Sequence, residues 1–252
     1  MSVPAQDVAL KAVVRDKYAR IARQEESCCG DSCSMIGDAY DGMDGYVAEA
    51  DLSLGCGLPT EHADLAPGQT VLDLGSGAGL DAFVARRIVG PNGRILGLDF
   101  TEDMVDKARS NARSLGYNNV DFYLGDIEEM PFEAASVDII LSNCVLNLVP
   151  DKAAAFAEMY RVLRPGGHFC ISDVVWEGHM PESLRRSMEH YVGCVAGAMQ
   201  CAAYLEALSA SGFADVQVVT QRPIAIPTEI AVREDAANGD ILSVTVTGRK
   251  LR

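Results

Sequence analysis

Runs of apolar residues alternate with amphipathic segments through most of the chain. The run Thr70–Leu74 predicts a buried strand, and Leu80–Val89 repeats its apolar residues at helical spacing. The alternation continues with predicted strands at residues 93–100, 120–124, 137–142 and 169–175 and predicted helices at residues 102–115, 151–163 and 181–198. Strands and helices that alternate with short connections predict a doubly wound, mostly parallel sheet.

The last part of the chain departs from this alternation. A helix is predicted over residues 201–210, and strands over residues 216–226 and 241–247 follow it. These two strands are joined by an acidic, turn-rich connection and predict a terminal hairpin with one antiparallel strand. The whole pattern therefore predicts a seven-stranded, Rossmann-like α/β fold, in which ligands bind at the carboxyl ends of the strands.

The segment before the first strand has a different composition. Residues 5–23 predict an amphipathic helix, whereas residues 23–64 contain many glycines and carboxylates and show little periodicity. A long irregular segment in a compact protein is usually either functional or disordered, so a lid and a flexible arm are both open interpretations. We therefore divide the chain into an N-terminal helix and cysteine-bearing lid, residues 1–64, and a ligand-binding domain, residues 65–252.

Three glycines follow the first predicted strand in close succession: Gly75, Gly77 and Gly79. Glycine accepts a positive φ and lets a ligand approach the backbone, and the start of the following helix offers free N–H groups. The G-x-G-x-G spacing differs from the G-x-G-x-x-G of dinucleotide-binding folds. Many α/β proteins use such a turn for geometry alone, so a ligand needs further support.

Carboxylates at two neighbouring strand ends supply that support. Asp73 lies in the first strand, and Asp99 ends the second at the separation typical of a group that binds ribose. A ribose and a positive charge occur together in S-adenosylmethionine, whereas Asp73 would repel a pyrophosphate. Asp126 could accept a hydrogen bond from adenine while Ile127 covers the ring, although a turn-capping role fits Asp126 as well. The candidate cofactor-binding residues are Asp73, Gly75, Ser76, Gly77, Gly79, Asp99, Phe100, Asp126, Ile127 and Asn143.

Charge and composition exclude several classes of function. The 252 residues carry a formal net charge of −15, which argues against binding nucleic acid by phosphate neutralisation. The sequence shows neither a signal peptide nor a run able to span a bilayer, so we expect a cytoplasmic protein without a membrane partner. Its eight cysteines, in a reducing compartment, favour metal or thiol chemistry over structural disulfides.

Two of these cysteines lie where a ligand is expected. Cys144 follows a predicted buried strand, and Cys56 stands between two glycines in what we expect to be an exposed loop with an accessible sulfur. Thiolates bind soft atoms, so a cysteine-bearing lid could close over a centre held at Cys144. An inert buried thiol is the alternative for Cys144, and a small buried side chain is expected for Cys170 in its apolar strand.

Several stretches together resemble the arsenite methyltransferases. They are GCGLP at 55–59, VLDLGSGAGLD at 71–81, SNCVLNL at 142–148 and YVGCVAGA at 191–198. The resemblance extends from about residue 14 to residue 213. It implies the class I methyltransferase fold, S-adenosylmethionine as the methyl donor and arsenite or methylarsenite as the acceptor.

The resemblance also implies roles for particular cysteines. Thiolates at three positions bind arsenic(III) in that family, and these correspond to Cys56, Cys144 and Cys194 of this sequence. A further N-terminal cysteine takes part, which corresponds to Cys28 or Cys29. The family also implies a disulfide that forms during turnover and is reduced by thioredoxin or glutathione.

Two other functions are compatible with the same residues. A methyltransferase acting on a small organic acceptor would leave the cysteines incidental. A metal-binding or redox-sensing module would instead gather zinc with Cys28, Cys29, Cys33 and Cys56. The C-C-x-x-x-C spacing without a second close pair is poor for structural zinc, which disfavours the second alternative.

Overall fold

The protein is described here by a computed structural model that covers residues 5–25, 40–178, 197–224 and 239–252. The helices are α1 (Ala5–Ala22), α2 (Pro59–His62), α3 (Leu80–Val89), α4 (Glu102–Ser114), α5 (Lys152–Val162) and α6 (Cys201–Ala210). The strands are β1 (Thr70–Leu74), β2 (Arg94–Asp99), β3 (Val120–Leu124), β4 (Val137–Asn143), β5 (Leu163–Gly178), β6 (Met199–Gln200), β7 (Ala214–Ile224) and β8 (Gly239–Arg249). Short 3-10 helices occupy Ala48–Ala50 and Leu146–Leu148.

The strands form one sheet in the order β3-β2-β1-β4-β5-β8-β7, and β6 pairs with β5 beside this path. Strands β1 to β5 pair in parallel, whereas β8 runs antiparallel to both β5 and β7. The predicted fold class, with its terminal antiparallel hairpin, is confirmed. The order reverses between β1 and β4, which opens a crevice at their carboxyl ends.

Three details differ from the sequence prediction. The short strand β6 makes the sheet eight-stranded instead of seven-stranded, because two residues are too few to show an apolar pattern. Strand β5 begins at Leu163, and a register shift opposite Val137/Ile139 accommodates its Pro-Gly-Gly segment. Most of the helix predicted over 181–198 lies outside the described residues, and residues 197–198 are not helical.

Helices cover both faces of the sheet, because successive side chains of each central strand point to opposite sides. In β1, Leu72 and Leu74 join the core that also contains Phe156 of α5, whereas Val71 joins the core that contains Phe83 of α3. Both layers are closed to solvent, and the ends of the strands are left to carry polar groups.

Helix α1 and residues 50–55 border the carboxyl edge of the sheet. Helix α1 contacts α4, and its Lys11 ammonium pairs with Asp126 at 2.6 Å and with Glu128 at 2.5 Å. Arg23, just after α1, pairs with Asp103 of α4 at 3.0 Å. Among the described residues, no helix has the length and apolar character needed to cross a membrane.

Candidate functional site

A cavity of about 400 Å³ opens at the carboxyl ends of β1, β2 and β4, a size ordinary for a small-molecule site. Its lining includes eight of the residues singled out from the sequence: Asp73, Gly75, Ser76, Gly77, Asp99, Phe100, Asn143 and Cys144. Tyr18 of α1 and residues 50–55 line it from the N-terminal side. The predicted lid segment therefore borders the same cavity as the strand ends.

The glycine turn after β1 packs against neighbouring elements and also leaves room for a ligand. The N–H groups of Gly75 and Ser76 donate to the Leu98 carbonyl at 2.8 and 3.0 Å, which ties the turn to β2. A Cβ at Gly75 would lie 2.6 Å from the Val145 side chain, so this glycine is needed for packing. Gly77 has φ +50°, and a Cβ there would meet no atom closer than 4.0 Å. Gly77 thus leaves room for a ligand beside the backbone.

Three buried carboxylates surround the cavity: Asp73, Asp99 and Asp81, the last of which sequence reasoning did not select. Burial raises the pKa of Asp81 to about 6 and also raises the pKa of Asp73. Burial raises the pKa of Asp99 as well, although hydrogen bonds from Thr101 and Gly77 act in the opposite direction. The Oδ2 atom of Asp73 is buried without a hydrogen-bond partner among the described residues. Carboxylates gathered in this way favour a cationic ligand, which would relieve their mutual repulsion.

Asn143 connects this cavity to the loop that carries Cys56. Its Oδ1 accepts a hydrogen bond from the Cys56 N–H at 2.9 Å, and its Nδ2 donates to the Gly57 carbonyl at 2.8 Å. The Tyr40 hydroxyl accepts from the same Nδ2 at 2.7 Å and lies 3.0 Å from Asp81 Oδ1. These bonds hold the loop at a fixed place beside the carboxylates.

The prediction of an exposed Cys56 is wrong. Its side chain is 0% exposed, and its thiol donates to the Ser172 carbonyl at 3.5 Å. A Cβ at Gly55 would lie 2.9 Å from Asn143 Nδ2, and one at Gly57 would lie 2.4 Å from Ser172 Oγ. The flanking glycines therefore let the loop press against the sheet, and they do not expose the sulfur.

Cys56 lies close to Cys144 because the Cys56 N–H donates to the side chain of Asn143, which is 87 positions further along the chain and directly precedes Cys144. Cys144 follows β4 with φ +58°, and its N–H donates to the Ser172 carbonyl at 2.8 Å. The two sulfurs and one carboxylate oxygen of Asp173 all lie within 4.8 Å of one another, and all three residues are buried. The two thiols can bind one soft atom together.

Asp173 was missed as a site residue, although a carboxylate inside an apolar strand is a signal that could have found it. Its Oδ1 accepts from Asn147 Nδ2 at 2.7 Å and from the Val174 N–H at 3.0 Å, and the Tyr204 hydroxyl lies 3.3 Å from Oδ2. Burial raises the pKa of Asp173 to about 7. Trp176 packs in the same cluster as Cys56 and Cys144.

Other predicted site residues lie elsewhere. Asp126 binds Lys11 at 2.6 Å and accepts from the Glu128 N–H at 3.0 Å, and Ile127 is buried in the core; neither lines the cavity. Gly79 is the N-cap of α3 with φ +100°. Cys170 is buried, as predicted, and burial raises its pKa to about 12. Cys28, Cys29, Cys33 and Cys194 lie outside the described residues.

Comparison with known proteins adds sequence and fold relationships. Residues 65–221 match the family described as "Methyltransferase domain". The chain is 43% identical to the arsenite methyltransferase of Halobacterium salinarum, over 82% of this chain and 58% of that protein. It is 35% identical to the human arsenite methyltransferase, over 77% of this chain and 53% of that protein. The chain thus spans little more than half the length of these curated relatives.

Comparison with solved structures also finds an arsenic methyltransferase. An arsenic(III) S-adenosylmethionine methyltransferase from Chlamydomonas reinhardtii superposes with a TM-score of 0.70 and 36% identity, over 78% of this chain and 68% of that chain. The [4+2]-cyclase SpnF superposes with a TM-score of 0.64 at 20% identity, over 95% of this chain. The second likeness concerns the fold alone.

Proposed function

We propose that this chain, which belongs to the methyltransferase-domain family and within it to the arsenic(III) S-adenosylmethionine methyltransferases, transfers methyl groups from S-adenosylmethionine to trivalent arsenic. The observation that carries the proposal is the buried pair of thiols, Cys56 and Cys144, beside a cavity rich in carboxylates. Methylation of arsenite or methylarsenite for detoxification is proposed for the activity as a whole, since the chain spans 58% of its curated relative from Halobacterium salinarum.

The cavity fits the methyl donor. Oδ2 of Asp73, which has no hydrogen-bond partner in the described part of the chain, and the neighbouring Asp81 suit a sulfonium and an amino group. Asp99 suits ribose hydroxyls. When bound, S-adenosylmethionine would supply an electrophilic methyl carbon. Gly77 admits the ligand to the backbone, with Phe100 in the lining beside it.

The adenine contact predicted for Asp126 and Ile127 stays part of the proposal. Asp126 accepts two hydrogen bonds, one on each oxygen, from Lys11 and from the Glu128 N–H. Each carboxylate oxygen can accept a second bond, so an adenine amino group could share Asp126 with Lys11. The remaining proposed cofactor contacts are Gly75, Ser76, Gly79 and Asn143.

Arsenic is proposed to bind through Cys56 and Cys144, with Cys194 as the third thiolate and Cys28 or Cys29 as the additional cysteine. The assignments of Cys194, Cys28 and Cys29 rest on the family resemblance alone. A disulfide formed in turnover and reduced by thioredoxin or glutathione, and a cytoplasmic location, belong to the same proposal.

The proposed methyl transfer depends mainly on how the protein positions arsenic relative to the methyl donor. Thiolate-bound arsenic(III) attacks through its own lone pair and has no proton on arsenic to lose, so the step needs no general base. Asn143 and Tyr40 fix the Cys56 loop beside Asp81, and this supports transfer to arsenic held at Cys56 from a donor in the adjacent cavity. Fixed placement of two reactants supplies about 7–11 kcal/mol in the most favourable cases.

The test is methylation of arsenite by the purified protein with S-adenosylmethionine and a thiol reductant, followed by arsenic speciation. Cys56→Ser, Cys144→Ser and Cys194→Ser should each lower the rate at least about tenfold, because each removes one soft ligand. Cys201→Ser, at the half-buried start of α6, is the matched control and should keep the parent rate. Parent rates in all three ligand variants would refute the ligand set. Transfer to a hydroxyl or amine acceptor that survives thiol blocking would favour an organic substrate.

A further inference from the structure

We propose that Asp173 is a specificity-determining residue of the arsenic pocket, whose carboxylate accepts a hydrogen bond from the hydroxyl that stays on arsenite after Cys56 and Cys144 have bound it and before Cys194 displaces that hydroxyl. This inference rests on the proposed function. It is carried by the placement of one Asp173 oxygen within 4.8 Å of both sulfurs, in a cluster where all three residues are buried.

The hydroxyl follows from the stoichiometry of binding. Arsenous acid carries three hydroxyl groups. Each thiol forms one As–S bond and breaks one As–O bond, and its proton leaves with the hydroxide as water. Two thiols therefore leave one As–OH group, and arsenic stays trivalent throughout. Methylarsenous acid, which has two hydroxyls, would leave an As–CH₃ group in the same place.

The hydrogen bonds of Asp173 leave capacity for this hydroxyl. Oδ1 accepts from Asn147 Nδ2 and from the Val174 N–H, at 2.7 and 3.0 Å. The Tyr204 hydroxyl approaches Oδ2 at 3.3 Å, longer than the usual O–H···O separation. Asn147 and Val174 therefore fix the carboxyl group while Oδ2 can accept a shorter bond.

The surroundings make that bond discriminating. The Cys56 and Cys144 side chains belong to an apolar cluster that includes Leu148 and Trp176. A hydroxyl there can donate to the carboxyl group of Asp173, whereas a methyl group in its place offers no donor and leaves Oδ2 with only the long Tyr204 bond. Sites built to hydrogen-bond a hydroxyl discriminate strongly against analogues that lack it. The pocket should therefore favour inorganic arsenite over its monomethylated form.

The experiment measures binding without the methyl donor. Both arsenicals are titrated into protein carrying Cys194→Ser, so that Cys56 and Cys144 alone hold arsenic in each case. Trp176 is the single tryptophan of the chain and belongs to the same apolar cluster as both cysteines, so its fluorescence is the signal for occupancy. The quantity compared is the ratio of the arsenite affinity to the methylarsenous acid affinity.

In this background, Asp173→Asn should lower the ratio about tenfold, because the amide oxygen stays with the two N–H groups that bind Oδ1 and an NH₂ donor replaces the Oδ2 acceptor. Asp173→Ser, which shortens the side chain, should shift the ratio in the same direction. A general effect on folding or on thiol acidity changes both affinities alike and cancels. Asp138→Asn is the matched control, because Asp138 also accepts a backbone N–H, from Thr70 at 2.8 Å, at the opposite end of β4.

The outcomes distinguish a failure of the proposed thiol site from a failure of the role proposed for Asp173. If arsenite changes the Trp176 fluorescence neither in the parent nor in the Cys194→Ser protein, the proposed thiol site is refuted. If arsenite binds and the response disappears in Cys56→Ser and Cys144→Ser, the site stands. A ratio for Asp173→Asn within twofold of its parent would then overturn the role of Asp173 alone.

Discussion

At the scale of single residues, Gly57 shows how a missing side chain sets the position of a thiol. A Cβ at this position would lie 2.4 Å from Ser172 Oγ, on the strand against which the Cys56 loop rests. Gly57→Ala should therefore push the loop away from β5. We expect the free energy of unfolding to fall by about 1–3 kcal/mol, and arsenite methylation to fall by about 100-fold, since the sulfur moves from its place. Urea denaturation and arsenic speciation measure the two effects.

Gly42→Ala provides the control for this prediction. Gly42 lies in an exposed turn of the same N-terminal segment, and a Cβ there would meet nothing within 4 Å. It should keep both stability and activity. Equal losses in the two variants would mean that the segment tolerates no added methyl group and that contact with Ser172 is not the cause.

Residues at strand ends were predictable from sequence, whereas their partners were not. Asp73, Asp99 and Cys144 each stand at the end of a readable apolar run, so the edge that they share followed from the fold. The hydrogen bonds of Asp173 with Asn147 and Tyr204 join residues far apart in the sequence. The same is true of the contacts that Tyr40 makes with Asp81 and Asn143. The burial of Cys56 was mispredicted for the same reason, because nothing local shows that a glycine-flanked loop will pack on β5.

At the scale of elements, a lysine of α1 joins the helix to the segment that follows β3. The Lys11 ammonium bridges Asp126 and Glu128, and the Lys11 and Glu128 side chains are only 17% and 15% exposed. Glu128 also accepts from the Asp151 N–H at the start of α5. We therefore expect an interaction free energy of about 1 kcal/mol between Lys11 and Glu128, more than most exposed pairs give.

A double-mutant cycle with Lys11→Met and Glu128→Gln measures this energy by urea denaturation. Hydrogen exchange should show faster opening of α1 in Lys11→Met, while β1 keeps its protection. A coupling energy of zero, with unchanged exchange in α1, would mean that the helix is held by its apolar contacts alone.

Element bounds were largely predictable because periodicity is a local property. Strands β1 and β3 and helices α3 and α6 have the predicted limits. The start of β5 was missed, since its Pro-Gly-Gly segment is typical of a turn and only pairing with β4 and β8 makes it part of a strand.

At the scale of the whole molecule, the stability of the ligand-free protein should fall as the pH rises. A buried carboxyl whose pKa is higher in the folded protein than in the unfolded chain binds more protons when folded, so it stabilises the fold at low pH and ceases to do so above its folded pKa. Burial raises the pKa of Asp81 to about 6 and that of Asp173 to about 7. The net charge of −15 acts in the same direction, because self-repulsion grows as carboxylates ionise.

The urea midpoint should accordingly be lower at pH 7.5 than at pH 5.5. Asp81→Asn removes one of the raised groups and should reduce the difference, whereas Asp41→Asn, at an exposed position, should leave it nearly unchanged. S-adenosylmethionine should restore part of the stability at pH 7.5. A midpoint that rises with pH would contradict the electrostatic account of the cavity.

On the proposed function, the carboxylates that line the cavity also favour one oxidation state of arsenic over the other. Trivalent arsenous acid is uncharged near neutral pH and crosses a negative field without penalty. Pentavalent arsenate is an oxyanion shaped like phosphate, and the buried carboxyl groups of Asp73, Asp81 and Asp99, on a chain of net charge −15, disfavour an anion beside them. If the chain acts on arsenic as proposed, phosphate and arsenate should therefore compete poorly with arsenite at the thiols.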